Sequence, residues 1–344
     1  MLPLLLSTVA LASSVTELPP MLRGDVSIGY AWESLRGSLR ETAPGGDVEV
    51  GQRVVTEHIL RYRADFTAGP GVGAYVEVPQ WASQTVSGTD GNTMVYDPAT
   101  RTGTLIGTNP VADGEYASGG GVGGVWLGVR GTPWSEAFGS RNNVTWMLDA
   151  AVRTPDSSNF WSGKERGAGP GGLGWRLHSA FSHTRGDSSP YFAVTWTQNR
   201  ALEVDTFAAD GTALGTAVAV DPADTLRLRI GTENVASRQT TSGAELRFDL
   251  HATVDYAGPA VVPSGIYLPS VLDTTAGAAV QQAEQLRAGA GLGVHWRPMR
   301  YMELRFFADA ASQIPQRQEH PYPIRTGFDT LAASAGTELR VRIR

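Results

Sequence analysis

The stretch Leu246-Arg247-Phe248-Asp249-Leu250-His251-Ala252-Thr253-Val254-Asp255-Tyr256 alternates without a lapse. Leu246, Phe248, Leu250, Ala252, Val254 and Tyr256 are apolar, and the residues between them are polar. A period of two is the signature of a strand with one greasy and one wet face. Ordinary globular strands run about five or six residues, whereas a tilted membrane-spanning strand needs roughly nine to eleven. This stretch has the longer reach, and the pattern recurs along the chain.

Composition supports the same reading. The chain has 344 residues, a length that fits two soluble domains or one barrel. Glycine is abundant, at 41 residues, while long Ala/Glu/Lys/Leu runs of helical period are missing, which favours an all-β chain rich in turns. Mean hydropathy is −0.16, and the sequence holds no apolar run of the roughly eighteen residues that a membrane helix requires. In lipid that leaves a closed barrel, because every backbone polar group must be paired. A net charge of −6 and no basic cluster argue against nucleic acid as a partner. With no cysteine there is no disulfide, thiolate metal site or lipoprotein anchor.

Residues 1–14 read as an export signal with an apolar core (Leu2 to Leu6, then Val9 to Leu11) and the triplet Ala10-Leu11-Ala12, although a basic n-region is missing. Residues 15–21 are then a short periplasmic segment, and 22–344 the barrel.

The remaining strands follow in order. Val26, Ile28, Tyr30 and Trp32 mark the first; Val54, His58, Leu60, Tyr62 and Phe66 the second, with His58 a defect on the lipid side. Val72 to Val78 is the third. Gln80 to Gly120 reads as a large loop with its own hairpin around Met94 to Tyr96 and Thr104 to Ile106, either folded over the mouth as a gate or standing up as an extension of its flanking strands. Gly121 to Arg130 is the fourth strand, and Pro133 to Glu136 a turn. Val144 to Val152 is the fifth, and Pro155 to Gly172 a loop exposing Phe160 and Trp161. Leu173 to Phe181 and Phe192 to Trp196 flank the turn Arg185-Gly186-Asp187, and Leu202 to Val220 extends that hairpin with Asp210-Gly211 at its tip. Leu226 to Ile230 is the eighth strand, and the opening stretch is the ninth. Leu286 to Trp296 and Met302 to Ala308 flank a turn at Pro298, and Leu331 to Arg344 closes the set. The expectation is twelve strands with connections alternating long and short, as in a bacterial outer-membrane barrel with short turns and both termini in the periplasm. A secreted β-sandwich also alternates in polarity, but does not need long strands and alternating loop lengths together.

The run Val125-Trp126-Leu127-Gly128-Val129-Arg130, then Pro133-Trp134, then Thr145-Trp146-Met147-Leu148-Asp149, with the glycine-alternating strand from Leu286 to Trp296, resembles uncharacterised outer-membrane barrels of myxobacteria. More distantly it is similar to the MetA-like outer-membrane barrel family named for a phenol-degradation pathway, whose members are taken to be channels. The resemblance is structural and carries no functional residues across. One departure is the C-terminal Arg344, where the assembly signal of such barrels has an aromatic.

Chemistry is sparse. His178 and Ser182 share a face, but four strand residues separate them by about 13 Å, too far for a proton-transfer dyad. His251 and His295 face inward with Asp249 and Asp255 nearby, an arrangement able in principle to hold a metal or orient a base. A register pairing Tyr256 with Leu286 sets His295 opposite Arg247 instead of His251. The two Arg-Gly-Asp triplets, at Arg23 and Arg185, fall at strand entry and turn, and Gly119 to Gly124 lacks the helix of a phosphate loop. No cofactor or metal is called for. Inward arginines (Arg61, Arg63, Arg176, Arg227, Arg229, Arg247, Arg287, Arg297, Arg305, Arg340) nearly balance inward acids (Glu57, Asp65, Glu77, Asp149, Asp249, Asp255, Glu303, Asp309, Glu338). Of these, Arg227, Arg229 and Arg287 lie where only Asp255 clearly opposes them, a cluster suited to an anionic or carboxylate-bearing solute. The lumen candidates are therefore Arg227, Arg229, Arg247, Arg287, Arg305, Asp249, His251, Asp255 and His295. The expected role is passive passage of a small solute through an outer-membrane barrel, in contact with lipid and with the barrel-assembly machinery. A structural or surface-interaction barrel is the rival, and a barrel-embedded hydrolase the third reading.

Overall fold

The computed structural model describes residues 22–43, 46–89, 92–97, 102–108, 114–135, 143–155, 160–162, 165–166, 171–207, 213–239, 242–263, 279–282, 284–313 and 324–343. The stretch expected as an export signal and the segment 15–21 lie outside these, as do the expected hairpin tip at Asp210-Gly211 and the C-terminal Arg344.

Twelve staves form the wall: β1 (Gly24–Ala43), β2 (Gly46–Gly69), β3 (Val72–Thr89), β4 (Trp126–Trp134), β5 (Val144–Arg153), β6 (Gly174–His183), β7 (Ser188–Asn199), β8 (Thr225–Arg238), β9 (Glu245–Ala257), β10 (Gln285–Met299), β11 (Met302–Gln313) and β12 (Ile324–Ile343). Each pairs antiparallel with the next. β12 pairs back onto β1, from Gly24↔Ile343 upward, so the sheet has no open edge. Register follows the alternation: Tyr256 meets Leu286, and His295 meets Arg247.

Every stave turns apolar residues outward. Ile28, Tyr62, Val76, Val129, Leu148, Leu177, Phe192, Ile230, Leu250, Leu292, Phe306 and Val341 supply one large exposed apolar side chain each from β1 to β12. A continuous belt of this kind would be a solubility fault in water and is what a lipid-facing wall needs. Near the short-turn end, Trp134, Trp146 and Phe181 stack across three staves, with ring centroids 5.0 and 5.3 Å apart. The Trp146 Nε1 hydrogen is satisfied by the Ser179 hydroxyl at 3.0 Å. This is the amphipathic aromatic contact expected where acyl chains give way to headgroups. His58, the outward polar residue, is paired: its Nδ1 lies 2.7 Å from the Tyr30 hydroxyl and the two rings stack.

The staves differ from the sequence reading mainly in length. β1 has 20 residues and β2 has 24, where alternation marked only Val26 to Trp32 and Val54 to Phe66. At about 3.3 Å per residue and a tilt near 40°, 20 residues climb roughly 50 Å, well beyond an apolar band of about 25 Å. Above the lipid both faces of a hairpin are wet, so backbone pairing continues where the apolar alternation has no reason to. β12 likewise begins at Ile324 instead of Leu331.

Part of the segment expected as a long loop from Gln80 is strand. β3 runs to Thr89 and pairs with Gly114–Val122, while Asn92–Asp97 and Thr102–Thr108 pair with each other in a separate two-stranded sheet that touches β1 and β2. The fourth stave is broken at 123–125 rather than continuous from Gly121. A side chain at Gly123 would collide with the Trp81 ring, which is buried against this break. Phe160–Ser162 forms a short strand beside Asp205–Phe207, so its backbone is paired; the exposure of those side chains lies outside the described residues. The turn expected at Pro298 falls at Arg300-Tyr301, β10 continuing to Met299. Gly186, at φ +61°, makes the β6–β7 turn.

Candidate functional site: the charged lumen

The inward face of the alternation lines the barrel, and its side chains meet over one or two intervening staves as well as between neighbouring ones. Two hubs organise the middle.

The first surrounds Tyr75 on β3, which is 6% exposed. Its hydroxyl donates to Asp149 Oδ1 at 2.8 Å and accepts from Arg176 Nη2 at 2.9 Å. The Arg63 guanidinium lies 3.8 Å from its ring centroid and that of Arg130 4.8 Å, both in cation–π positions. Arg63 also holds Asp65 and Glu77, Arg176 reaches Glu77 at 3.4 Å, and Arg130 links Asp65 to Asp149. Contacts from β3 to β5 and β6 are chords of the barrel, which no adjacent-strand argument supplies.

The second hub is His251 on β9. Its Nε2 lies 2.5 Å from Asp309 Oδ1 on β11, and its Nδ1 lies 3.1 Å from Asp249 Oδ2 and 2.8 Å from Arg229 Nη2. Asp249 also accepts from Arg229 Nη2 at 2.7 Å and from the Tyr191 hydroxyl at 2.8 Å. Arg229 is thus engaged by Asp249 and His251, which corrects the expectation that only Asp255 opposes the basic cluster. The reach of arginine explains the error: Arg229 faces Thr253 in register, but its long side chain runs along β9 past His251 to Asp249, four residues from Thr253.

Glycine makes these hubs fit. A Cβ on Gly128 would lie 2.6 Å from the Tyr75 hydroxyl and closer still to its ring carbons Cζ and Cε1. One on Gly231 would lie 2.7 Å from the Tyr191 hydroxyl, and one on Gly291 would strike His251 and Asp309. Gly336 likewise makes room for the Phe307 ring. The lumen glycines are sockets for large side chains on the neighbouring staves.

Toward the short-turn end a third group chains Arg297, Glu303, Arg305 and Glu338, with His295 Nδ1 3.6 Å from Glu303. Arg247 bonds Glu245 and approaches Glu233 at 3.4 Å. The structure therefore separates the two histidines. His251 sits between two carboxylates off opposite ring nitrogens, a geometry that cannot converge on one ion, and among the described residues no group of three His, Asp or Glu could hold a metal. His178 pairs with the Thr195 hydroxyl at 2.7 Å, not with Ser182.

Toward the long-loop end, Arg227, Asp255 and Arg287 occupy one row across β8, β9 and β10. Arg227 donates to both oxygens of Asp255, at 2.5 and 3.1 Å. Arg287, 1% exposed, points inward beside them. Across the bore, Glu33 on β1 bonds Arg61 at 3.3 Å and lies within the field of Arg227 and Arg287. Glu33 was absent from the sequence-derived inward set; its parity with Asp25 and Ser27 on β1 carried the signal.

No protein-family model matches the chain, and no curated protein matches it. Among solved structures, an outer membrane channel from Pseudomonas putida F1 superposes with a TM-score of 0.51 at 10% identity, covering 96% of this chain and 99% of that one. The β domain of the Bordetella autotransporter BrkA gives 0.39 at 11% identity, over 90% and 98% of the two chains. A Pseudomonas aeruginosa FadL homologue gives 0.37 at 11% identity, over 93% and 89%. At the P. putida level of likeness the agreement is one of fold: the chain is built as a closed antiparallel transmembrane β-barrel.

Proposed function

We propose that the protein is a passive channel of the Gram-negative outer membrane for a small polar solute, with the short turns on the periplasmic side. The supporting observation is the state of the lumen's polar groups. Alongside the hubs, buried polar atoms remain without a hydrogen-bond partner among the described residues: Glu33 Oε2, both side-chain atoms of Gln84, Arg229 Nε, Glu233 Oε1, and Arg287 Nε and Nη2. A sealed protein core satisfies such groups, because each one left dry costs about 1–3 kcal/mol. Lumen polar atoms that no protein group satisfies instead suit partners drawn from water or a polar solute. The rival, a structural or surface-interaction barrel, draws on the ion pairs that skip a stave or two, Arg130 to Asp65 and Arg176 to Glu77, which brace the wall.

The test is conductance of the refolded protein in planar bilayers. The channel reading expects discrete current steps in simple salts. A barrel that shows the heat-modifiable mobility of the folded state yet passes no current in any salt overturns it and leaves the structural reading.

A further inference from the structure

Arg287 differs from the arginines of the hubs. Its neighbour in register, Asp255, has both oxygens taken by Arg227. Glu33, the other carboxylate whose field reaches it, is held through Oε1 by Arg61, and its Oε2 makes no hydrogen bond to Arg287. Its Nε and Nη2 hydrogens consequently find no acceptor among the described residues, although the side chain is 1% exposed. A guanidinium taken out of bulk water is stable only when an anion or several acceptors replace the lost hydration. The two open groups are also a particular pair. Nε–H and the facing Nη2–H lie in one plane on one edge of the guanidinium, parallel and spaced for the two oxygens of a carboxylate. Around this edge the lining stays polar: Gln285 lies two residues away on the same face of β10, and Gln313 is the register partner of Arg287 on β11, each with a side-chain oxygen unpartnered.

We propose that Arg287 is the anchor of a carboxylate-binding site in the long-loop half of the lumen, gripping a small organic acid side-on through Nε and Nη2. The Gln285 and Gln313 amides face the rest of the bound solute. Arg227 stays committed to Asp255 and adds positive potential without competing for the ligand. The site rests on the channel reading for the route by which a solute reaches it.

Acetate and methanesulfonate are suitable probes, since both are small methyl-bearing monoanions, one planar with two oxygens and one tetrahedral with three. Each is titrated against the full-length folded protein in detergent, and broadening of its methyl proton signal is compared between the wild type and Arg287 variants. Wild type is expected to bind acetate in preference to methanesulfonate. Arg287→Gln, which removes no hydrogen bond of the described structure and is checked for heat-modifiable mobility, is expected to weaken acetate binding at least tenfold. Arg287→Lys keeps the charge but not the fork, so it is expected to retain anion binding while losing the preference for acetate. Equal acetate broadening in wild type and Arg287→Gln overturns the proposal, as does an undiminished preference in Arg287→Lys. Because binding is read without current, a non-conducting barrel that binds acetate through Arg287 refutes the channel and leaves the site. A conducting one indifferent to Arg287→Gln does the reverse.

Discussion

Replacing Gly128 by alanine tests whether the lumen glycines are sockets. The added methyl would overlap the Tyr75 ring and stand 2.6 Å from its hydroxyl. Both partners are held by strands on either side, β3 pairing with β4 at Tyr75↔Gly128, so the backbone cannot simply retreat. Tyr75 must instead leave its rotamer. It then gives up the bond to Asp149, the bond from Arg176 and the Arg63 stacking contact. Hydrogen bonds to charged groups contribute about 1.5–3 kcal/mol each, and a partly desolvated cation–π contact about 1–2. Water entering the bore recovers part of this, so the expected net loss is about 2–5 kcal/mol, overpacking strain of about 1–3 included. The assay is urea unfolding of the refolded barrel in lipid vesicles, followed by tryptophan fluorescence. The decisive control is Tyr75→Ala. With the ring gone, the Gly128→Ala step should cost less than about 1 kcal/mol, giving a coupling of at least about 1–4 kcal/mol in the double-mutant cycle. A Gly128→Ala barrel within about 0.5 kcal/mol of wild type, or a step equally costly without the ring, refutes the socket argument.

Two further changes probe the wall and its orientation. Leu250→Arg places a charge in the lipid belt, where the exposed Leu250 faces outward between Thr232 and Leu292, and should cost about 2–4 kcal/mol with little dependence on salt. Thr253→Arg instead sets a second cation opposite Arg229 in the lumen, so its cost should fall as salt rises, and equal salt response in the two variants would contradict the assigned faces. Because the chain has no cysteine, single cysteines at Gly186 and Asp210 report topology directly: an impermeant maleimide on intact cells should label Asp210→Cys and spare Gly186→Cys, and the opposite pattern inverts the barrel.

What the sequence made legible is what lipid dictates. Between Leu246 and Tyr256 each outward residue must be apolar, so the period of two survives and fixes strand, face and register, down to Tyr256 against Leu286. Ser34 to Ala43 on β1 and Ile324 onward on β12 lie past that constraint, and their strand character comes from pairing alone, which leaves no trace in polarity. The bore was half legible. Parity puts Arg229, Asp249, His251 and Arg287 on the wet face, but it says nothing about chords, so Tyr75 with Asp149, Tyr191 with Asp249 and His251 with Asp309 had to come from the closed structure. Glycine was the missed signal. Gly128, Gly231, Gly291 and Gly336 sit on the inward parity of their staves, where a plain aqueous channel would have no need to remove a side chain. An inward glycine implies that a neighbour fills the space above it, and each of these four is occupied by an aromatic, imidazole or carboxylate group from an adjacent stave. The glycine pattern on the wet face therefore argues for a bore subdivided by braced side chains. On the proposed channel reading, a solute crossing such a bore would pass beside the hubs, where polar atoms of Glu33, Gln84 and Arg287 have no protein partner among the described residues.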